Sequence, residues 1–538
     1  MIDIQLKNKD WINYQAKDMN IWIKGTIYIG NKKIEDNELI QEITKIENFE
    51  DMESFASILN GFFTLIIQKI FKTYVVMDSI RSFPVFYSKQ LNYIKIFDEP
   101  EKVLTGRKED INLIALEEFK LLGYVTGSET LLQKVKQIQA SEIVEFSINS
   151  NNQYLKKKKK YFFLNHLEPK SPNINELSKL HKKAIINSLK RLIDFSKGRQ
   201  LVIPLSGGYD SRFIASMLKK LNYQNLLAFS YGKKDNKESN FSESIAKKLN
   251  IPWIFIEYTE DEWENLWDSD LRLNYSLMAG LLTSTPHIQD WLAVKKLVDL
   301  GVLNSDCIFV PGHSADFLAG SHIPIELKPN KKYSIDSVSN YIFKTHYNLS
   351  SISNKSKRRK DFWKSRIQKR IEKFSIVNDC DFADSYERWN MQERQSKFTC
   401  NSVRVYEYFG YKWWLPFWDK EYIEFWERVP LSLRKGKSWY NLQVQNLTET
   451  NLIELSKLKN ASENNILRSK IVKVFIKLNI LIFIKKLRFF ILNKKRSNFH
   501  PPWVSWYEKR LNREEILKAT CNGIEAKLYL IDLKIESE

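Results

Sequence analysis

Between residues 174 and 312 the chain alternates two hydrophobic patterns, and few folds accommodate both. Short runs rich in Val, Ile and Phe read as strands: LVIPL (201–205), LLAFSYG (226–232), WIFIEY (253–258) and CIFVPG (307–312). Between them lie segments with helical apolar spacing: SRFIASMLKKL (211–221), SESIAKKLN (242–250) and DWLAVKKLVDLG (290–301). A longer amphipathic pattern, INELSKLHKKAIINSLKRLIDF, leads in from residue 174. Pro204 weakens the first strand near its end, because proline has no N–H for the ladder. Such alternation predicts a parallel sheet covered on both faces by helices. In such sheets ligands bind outside the carboxyl ends of the strands.

The flanking regions read differently. IWIKGTIYIG (21–30), GFFTLIIQKIF (61–71) and TYVVMD (73–78) predict a mainly β or α+β domain over residues 1–105. INLIALEEFKLLG (111–123) predicts a helix ending at Gly123. The Asn and Lys tracts of 147–172 predict a loop or interdomain connection, and 330–465 is mostly helical by pattern. A length of 538 residues suits two to four domains. In 470–492, Lys470, Lys473, Lys477 and Arg488 share one narrow helical stripe among apolar residues. Packing on the domain core is the favoured reading there over contact with a membrane surface.

The formal charge of +20 is partly local: five lysines run from Lys156 to Lys160, and 355–360 reads KSKRRK. Neither run is interleaved with aromatics, so both are expected to be solvated loops and no nucleic-acid partner is expected. Cys307, Cys380, Cys400 and Cys521 are scattered, which argues against a zinc site or disulfide framework and fits a reducing compartment. No window supplies a spanning helix and the first residues lack a signal core, so a cytoplasmic location is expected.

The segment Leu205-Ser206-Gly207-Gly208-Tyr209-Asp210-Ser211 follows a predicted strand and opens a predicted helix. Its glycines let the backbone approach a ligand closely. N–H groups at the helix start make an anion site, to which Ser206 and Ser211 add hydroxyls. Asp210 would repel a phosphate there unless a cation bridged them, most simply Mg²⁺. The GxxxxGK[ST] loop of kinases is absent.

SGGYDS resembles the SGGxDS pyrophosphate loop of the asparagine synthetase family and its ATP-pyrophosphatase relatives. Further matches follow the family's order: LNGFFTLII (59–67) with VVMDSIRSFPVFY (75–87), FSYG (229–232), GHSADFLAGSH (312–322) and WLPFWDKEYIEF (414–425). The resemblance implies an α/β chain in three parts. A degenerate Ntn-hydrolase-like (glutamine amidotransferase type 2) α+β domain would occupy 1–150. A parallel-sheet ATP-pyrophosphatase domain, of the adenine nucleotide alpha hydrolase-like kind with a helical C-terminal part, would occupy 174–465. A helical extension would fill 466–538. The implied chemistry joins a carboxylate to ATP as an acyl-adenylate, releasing pyrophosphate, and then transfers ammonia or an amine to the acyl carbon. By resemblance Leu205, Ser206, Gly207, Gly208, Asp210 and Ser211 hold pyrophosphate, Asp210 and Asp316 hold Mg²⁺, and Tyr231 and Gly312 lie near the nucleotide.

Three departures modify that expectation. Glutamine-dependent members carry a nucleophilic Cys at position 2, where this chain has Ile2, and no cysteine precedes Cys307. Thiolate attack on glutamine is therefore not expected, and the amine would come from solution, a separate glutaminase or the substrate. His313 stands where amide-forming members carry Glu, and is the candidate catalytic residue, either taking a proton from the attacking amine or holding a substrate carboxylate. Lys412 and Trp414 replace the Glu and Arg of the family's E-x-R-x-P pattern, with Arg404 and Glu407 as candidates to compensate. A phosphate-binding lysine is expected among Lys435, Lys437, Lys457 and Lys459. The acceptor is expected to be aspartate or a specialised acid, either a surface-polysaccharide sugar acid or a natural-product precursor. A nucleotide-binding scaffold without catalysis is the alternative.

Overall fold

The computed structural model describes residues 2–16, 18–90, 93–104, 106–148, 154–329, 331–350, 356–371, 375–448 and 520–536. The segment 470–492, Lys457 and Lys459 lie outside them, as does most of 466–538.

The predicted parallel sheet is present. Its five strands run in the order Trp253–Glu257, Leu226–Gly232, Leu201–Pro204, Ile308–Phe309 and Lys412–Trp413, all parallel. The first strand in sequence sits at the centre, and the order reverses on either side of it. That reversal opens a crevice at the carboxyl ends of Leu201–Pro204 and Ile308–Phe309. The last of the predicted strands is shorter than its apolar run. Val310 still donates to Val202 O at 2.8 Å, but Pro311 has no N–H and the chain then bends through Gly312.

The N-terminal region folds as two sheets with helices outside them. A large antiparallel sheet runs Tyr154–Lys160, Glu142–Ile148, Lys72–Met77, Leu59–Lys69, Met19–Ile29 and Ile12–Ala16, with Lys32–Lys33 beside Met19–Ile29. A second sheet runs Ile2–Gln5, Ile94–Phe97, Phe86–Lys89 and Val135–Gln137. Ile66, Val75, Ile96 and Val144 pack among the residues between the sheets. The helices Asp36–Thr44 and Phe49–Ile58 cover the large sheet, and Leu113–Leu122 covers the small one together with Cys521–Asp532.

Two basic runs depart from the loop expectation. Lys156–Lys160 lies on the edge strand Tyr154–Lys160, paired antiparallel with Glu142–Ile148. Lys157, Lys158 and Lys159 reach Glu50, Glu142 and Glu53 at 2.8, 2.9 and 2.7 Å. Lysines on an edge strand oppose pairing with another chain. The second run opens the helix Lys357–Ile371, whose Trp363, Ile367 and Ile371 recur at helical spacing and are buried.

The two regions share packing. Trp414 sits against Phe62 and Phe195, each with ring centres 4.7 Å apart, and against Tyr28 at 6.1 Å. Arg191, on the helix Ile174–Ser196, donates to Asp419 and Glu421 and to the Gly30 carbonyl of the N-terminal region. Among the described residues no helix is long and apolar enough to cross a membrane.

Candidate active site

The chain leaves the central strand at Pro204 and turns into the helix Tyr209–Lys220. Buried Leu205 anchors the turn, its N–H donating to Phe229 O at 2.8 Å. The serines brace it. Ser206 N–H donates to Ser211 Oγ at 3.0 Å, the two hydroxyls lie 3.2 Å apart, and Gly208 N–H donates to Ser206 Oγ at 3.2 Å. Gly208 is the N-cap and has no side chain to offer the first-turn N–H groups. A helix start of this kind favours an anion.

Asp210 occupies the first turn of that helix, and both its oxygens are engaged. Oδ1 accepts from Tyr440 OH at 2.9 Å, and Oδ2 accepts from Asp316 N–H at 3.1 Å. Burial, and next the charge of Asp316, push the Asp210 carboxyl up to about 7, while Tyr440 and Lys437 act the other way. Asp316 lies on the short helix Ala315–Leu318 and accepts from Ser321 Oγ at 3.0 Å. Gly312 explains how these segments come so close. A Cβ there would stand 2.9 Å from Ser211 N and 3.2 Å from Asp210 Cβ, so any side chain would force the loops apart.

Lys437 faces Asp210 across the cavity. Its segment is tied to the Asp316 segment by buried Arg434, which donates to Leu318 O through Nε and Nη2 at 3.0 and 2.7 Å. Arg434 also pairs with buried Glu387 at 2.8 Å. Lys435 points elsewhere, donating to Leu327 O at 2.8 Å.

The far wall is built on Asp290. Tyr231 OH donates to its Oδ1 at 2.5 Å, Tyr406 OH to its Oδ2 at 2.9 Å, and His287 Nε2 lies 3.4 Å from Oδ1. Burial acts to raise the Asp290 carboxyl, but the bonds and charge of His287 and Tyr231 outweigh it and hold it at about 2. Asp290 in turn raises His287 against the opposing effect of burial. His313 has Nδ1 3.2 Å from Ser402 Oγ and its ring centre 6.4 Å from that of His287. Burial, then the neighbouring His287, push the His313 imidazole down to about 4, so it is neutral at pH 7.

Asp290, His287 and Lys437 line one cavity of about 540 Å³, with Tyr406 and Tyr440 bonded to its carboxylates from outside the lining. Leu205, Ser206, Gly208, Asp210, Ser211, Tyr231, Gly312, His313 and Asp316 all face it. Gly207 does not; its backbone packs toward Glu238, whose Cγ would be 3.2 Å from an added Cβ. Asp290, His287 and Tyr440 were not legible as site residues in the sequence. His287 and Asp290 could have been noticed as titratable residues just before the apolar run WLAV, whereas Tyr440 carries no local signal. Arg404 and Glu407 do not compensate at this site as expected. They pair with each other at 2.5 Å, and Glu407 accepts from Trp413 Nε1 at 2.8 Å beside a different cavity, against the N-terminal region. Among the described residues no three His, Cys, Asp or Glu side chains are gathered to hold a metal.

Several solved structures are similar over part of the chain. The NH3-dependent NAD synthetase from Campylobacter jejuni subsp. jejuni NCTC 11168 is 14% identical over 37% of this chain and 95% of its own, with a TM-score of 0.20. NMN synthetase from Francisella tularensis is 15% identical over 36% of this chain and 94% of its own, at 0.18. Glutamine phosphoribosylpyrophosphate amidotransferase from B. subtilis is 9% identical over 56% of this chain and 63% of its own, at 0.19. The sequence finds no match among curated proteins. Residues 194–440, which carry the glycine-rich turn, Asp290, His313, Asp316 and Lys437, match the family model for asparagine synthase.

Proposed function

We propose that the chain is an ATP-dependent amide-forming ligase that activates a carboxylate as an acyl-adenylate and passes it to ammonia or an amine. The observation that carries this reading is Asp210: a carboxyl at about 7, beside a glycine-rich helix start, facing Asp316 and Lys437 at the sheet's crevice. Two apposed carboxylates at a phosphate site are unfavourable alone and become favourable around a cation. The family match over 194–440 supports the same chemistry.

Asp210 and Asp316 suit Mg²⁺, which is commonly held by one or two carboxylates with substrate phosphates and water completing the shell. Bound there, Mg²⁺ would neutralise charge on the phosphates. The N–H groups at the start of Tyr209–Lys220, with the Ser206 and Ser211 hydroxyls, hold the pyrophosphate as charge collects on it. Lys437 supplies a positive charge on the opposite side. Tyr231, fixed by Asp290, shapes the nucleotide's end of the cavity. His313 is neutral, so its imidazole can take the proton that the attacking amine loses.

The N-terminal two-sheet region is a degenerate glutaminase-like domain in this reading, and the absence of any cysteine before Cys307 removes its nucleophile. The acceptor is a small carboxylic acid, aspartate or a sugar acid, and a separate glutaminase can serve as ammonia source. The domain limits 1–150, 174–465 and 466–538 belong to this reading, as does a cytoplasmic location.

Pyrophosphate release tests the proposal, with ATP, Mg²⁺, ammonium and a panel of carboxylates including uronic acids. Release that depends on one acid and disappears in Asp210→Asn supports the ligase. Tight ATP binding without release for any acid favours a nucleotide-binding scaffold, a reading helped by the use of Trp413 and Trp414 as packing groups.

A further inference from the structure

A second cavity, of about 430 Å³, lies between the edge strand Tyr154–Lys160 and the helices Lys357–Ile371 and Asp379–Asn390. Six cationic side chains line it: Lys158, Lys159, Lys160, Lys369, Arg370 and Arg388. Only two carboxylates do, Glu142 and Glu393, and each is already matched. Lys158 bridges Glu142 at 2.9 Å, and buried Lys397 bridges Glu393 at 2.5 Å. Lys159 and Arg388 have their own partners, Glu53 and Asp384, both at 2.7 Å.

Lys160, Lys369 and Arg370 are left with no carboxylate within ion-pair distance among the described residues. Lys160 Nζ reaches only the amide oxygen of Gln392. Arg370 uses Nε and Nη2 on Thr126, bonding the neutral hydroxyl and carbonyl oxygens at 3.0 and 3.1 Å. Behind the wall, Arg81 is 2% exposed and donates through Nε to Ile138 O, next to the lining Gln139. Its Nη1 and Nη2 have no hydrogen-bond partner. Arg81 also holds φ at 63°, a left-handed backbone that a long side chain adopts at a cost. Lys160 and Arg370 are half-buried and Lys369 is exposed beside them, and one buried carboxylate, Glu393, already bonded to Lys397, is shared among Lys160, Arg370 and Arg81, so a bound anion adds counter-charge that the cluster lacks.

We infer that this interdomain cavity is a binding site for a small multivalent oxyanion, held by Lys160, Lys369 and Arg370. Phe163 and Trp389 flank the charges and give the ligand an apolar surface to lie against. The site is separate from the phosphate turn and does not depend on the ligase reading. The shared chemistry is a cluster of anionic oxygens, which phosphates and carboxylates both supply.

Calorimetric titration of the full chain tests it, with inorganic pyrophosphate as the phosphate probe and citrate as the carboxylate probe. Three proteins are compared: the unaltered chain, Lys369→Glu and Gly312→Ala. Lys369 is exposed on its helix, so its reversal leaves the fold intact, which circular dichroism verifies. Binding by either probe that weakens about tenfold or more in Lys369→Glu, yet persists in Gly312→Ala, supports the site, since reversing one nearby charge acts strongly on a multivalent anion. The stronger probe identifies the oxyanion source. Binding unchanged in Lys369→Glu, or abolished by Gly312→Ala alone, overturns the inference. No binding of either probe to the unaltered chain also overturns it.

Discussion

Arg191 meets Asp419 through two parallel hydrogen bonds, Nε to Oδ2 at 2.7 Å and Nη2 to Oδ1 at 2.8 Å. Both side chains are almost wholly buried. Asp419 Oδ1 also accepts from Asn60 Nδ2 at 3.2 Å, and Arg191 reaches the Gly30 carbonyl at 3.1 Å. One ion pair thus joins the two-sheet region, the helix Ile174–Ser196 and the segment that follows the last parallel strand. Neither residue lines the cavity that holds Asp210.

Removing Arg191 leaves the Asp419 carboxylate buried without its cation. Arg191→Ala is expected to destabilise the chain by about 3–5 kcal/mol, more than truncation of an exposed arginine. Arg191→Lys keeps the charge but loses the fork, and should fall between. Urea unfolding followed by tryptophan fluorescence measures both. An Arg191→Ala midpoint within error of the unaltered chain would contradict the role given to the pair.

The glycine-rich turn was legible because strand, turn and helix start are contiguous in sequence, so local pattern alone places Ser206, Asp210 and Ser211 together. Asp290, Tyr440 and Lys437 were not, or only as one candidate among several. Asp290 reaches Tyr231 across 59 residues and Tyr440 reaches Asp210 across 230, and only the closed fold brings them together. The lysine run 156–160 conceals its strand for a different reason. Lysine is a poor strand former alone, but here the backbone is ordered by its neighbour Glu142–Ile148 and the side chains by Glu50, Glu53 and Glu142. The helix Lys357–Ile371 hides behind its charge in the same way, its buried face reduced to Trp363, Ile367 and Ile371.

Asp210 links stability to pH. Its carboxyl titrates at about 7 in the folded chain, against 3.8 for an ordinary aspartate, so the folded form binds its proton more tightly. The folded free protein therefore loses stability as pH rises through about 7, and the contribution is fully present only below about 4. Asp210→Asn removes this slope. Without divalent cations it should stabilise the chain by about 2–4 kcal/mol at pH 8.5 and by much less at pH 5, since each pH unit between the unfolded and folded titration points is worth ~1.4 kcal/mol. Urea midpoints at the two pH values measure it. Equal effects at both pH values would show that Asp210 is already ionised in the free protein.

Two neighbouring lysines should behave differently. Lys437 faces Asp210 in the cavity, while Lys435 Nζ is bonded to Leu327 O and lies 3.6 Å from Asp379. Lys437→Ala is expected to lower kcat for pyrophosphate release by about 10²-fold, the scale of losing one preorganised charge at a developing anion. Lys435→Ala should stay within about twofold once folding is matched. Steady-state kinetics on the two variants decides, and similar losses in both would mean that the segment acts only through its packing.

His313 should separate the two half-reactions. Its imidazole is held near 4 by burial and by His287, and Ser402 Oγ lies 3.2 Å from Nδ1. A neutral imidazole so placed matters when the amine gives up its proton, not when the carboxylate attacks the α-phosphate. His313→Gln retains a polar side chain of similar reach but cannot serve as a base. Amide formation should fall by about 10²–10⁴-fold, the usual range for loss of a general base. A rapid first turnover of pyrophosphate should survive, followed by slow AMP release as the adenylate waits. Quench-flow with labelled ATP separates the phases. If the first turnover and amide formation fall together, His313 acts in binding or adenylation rather than as the acceptor of the amine's proton.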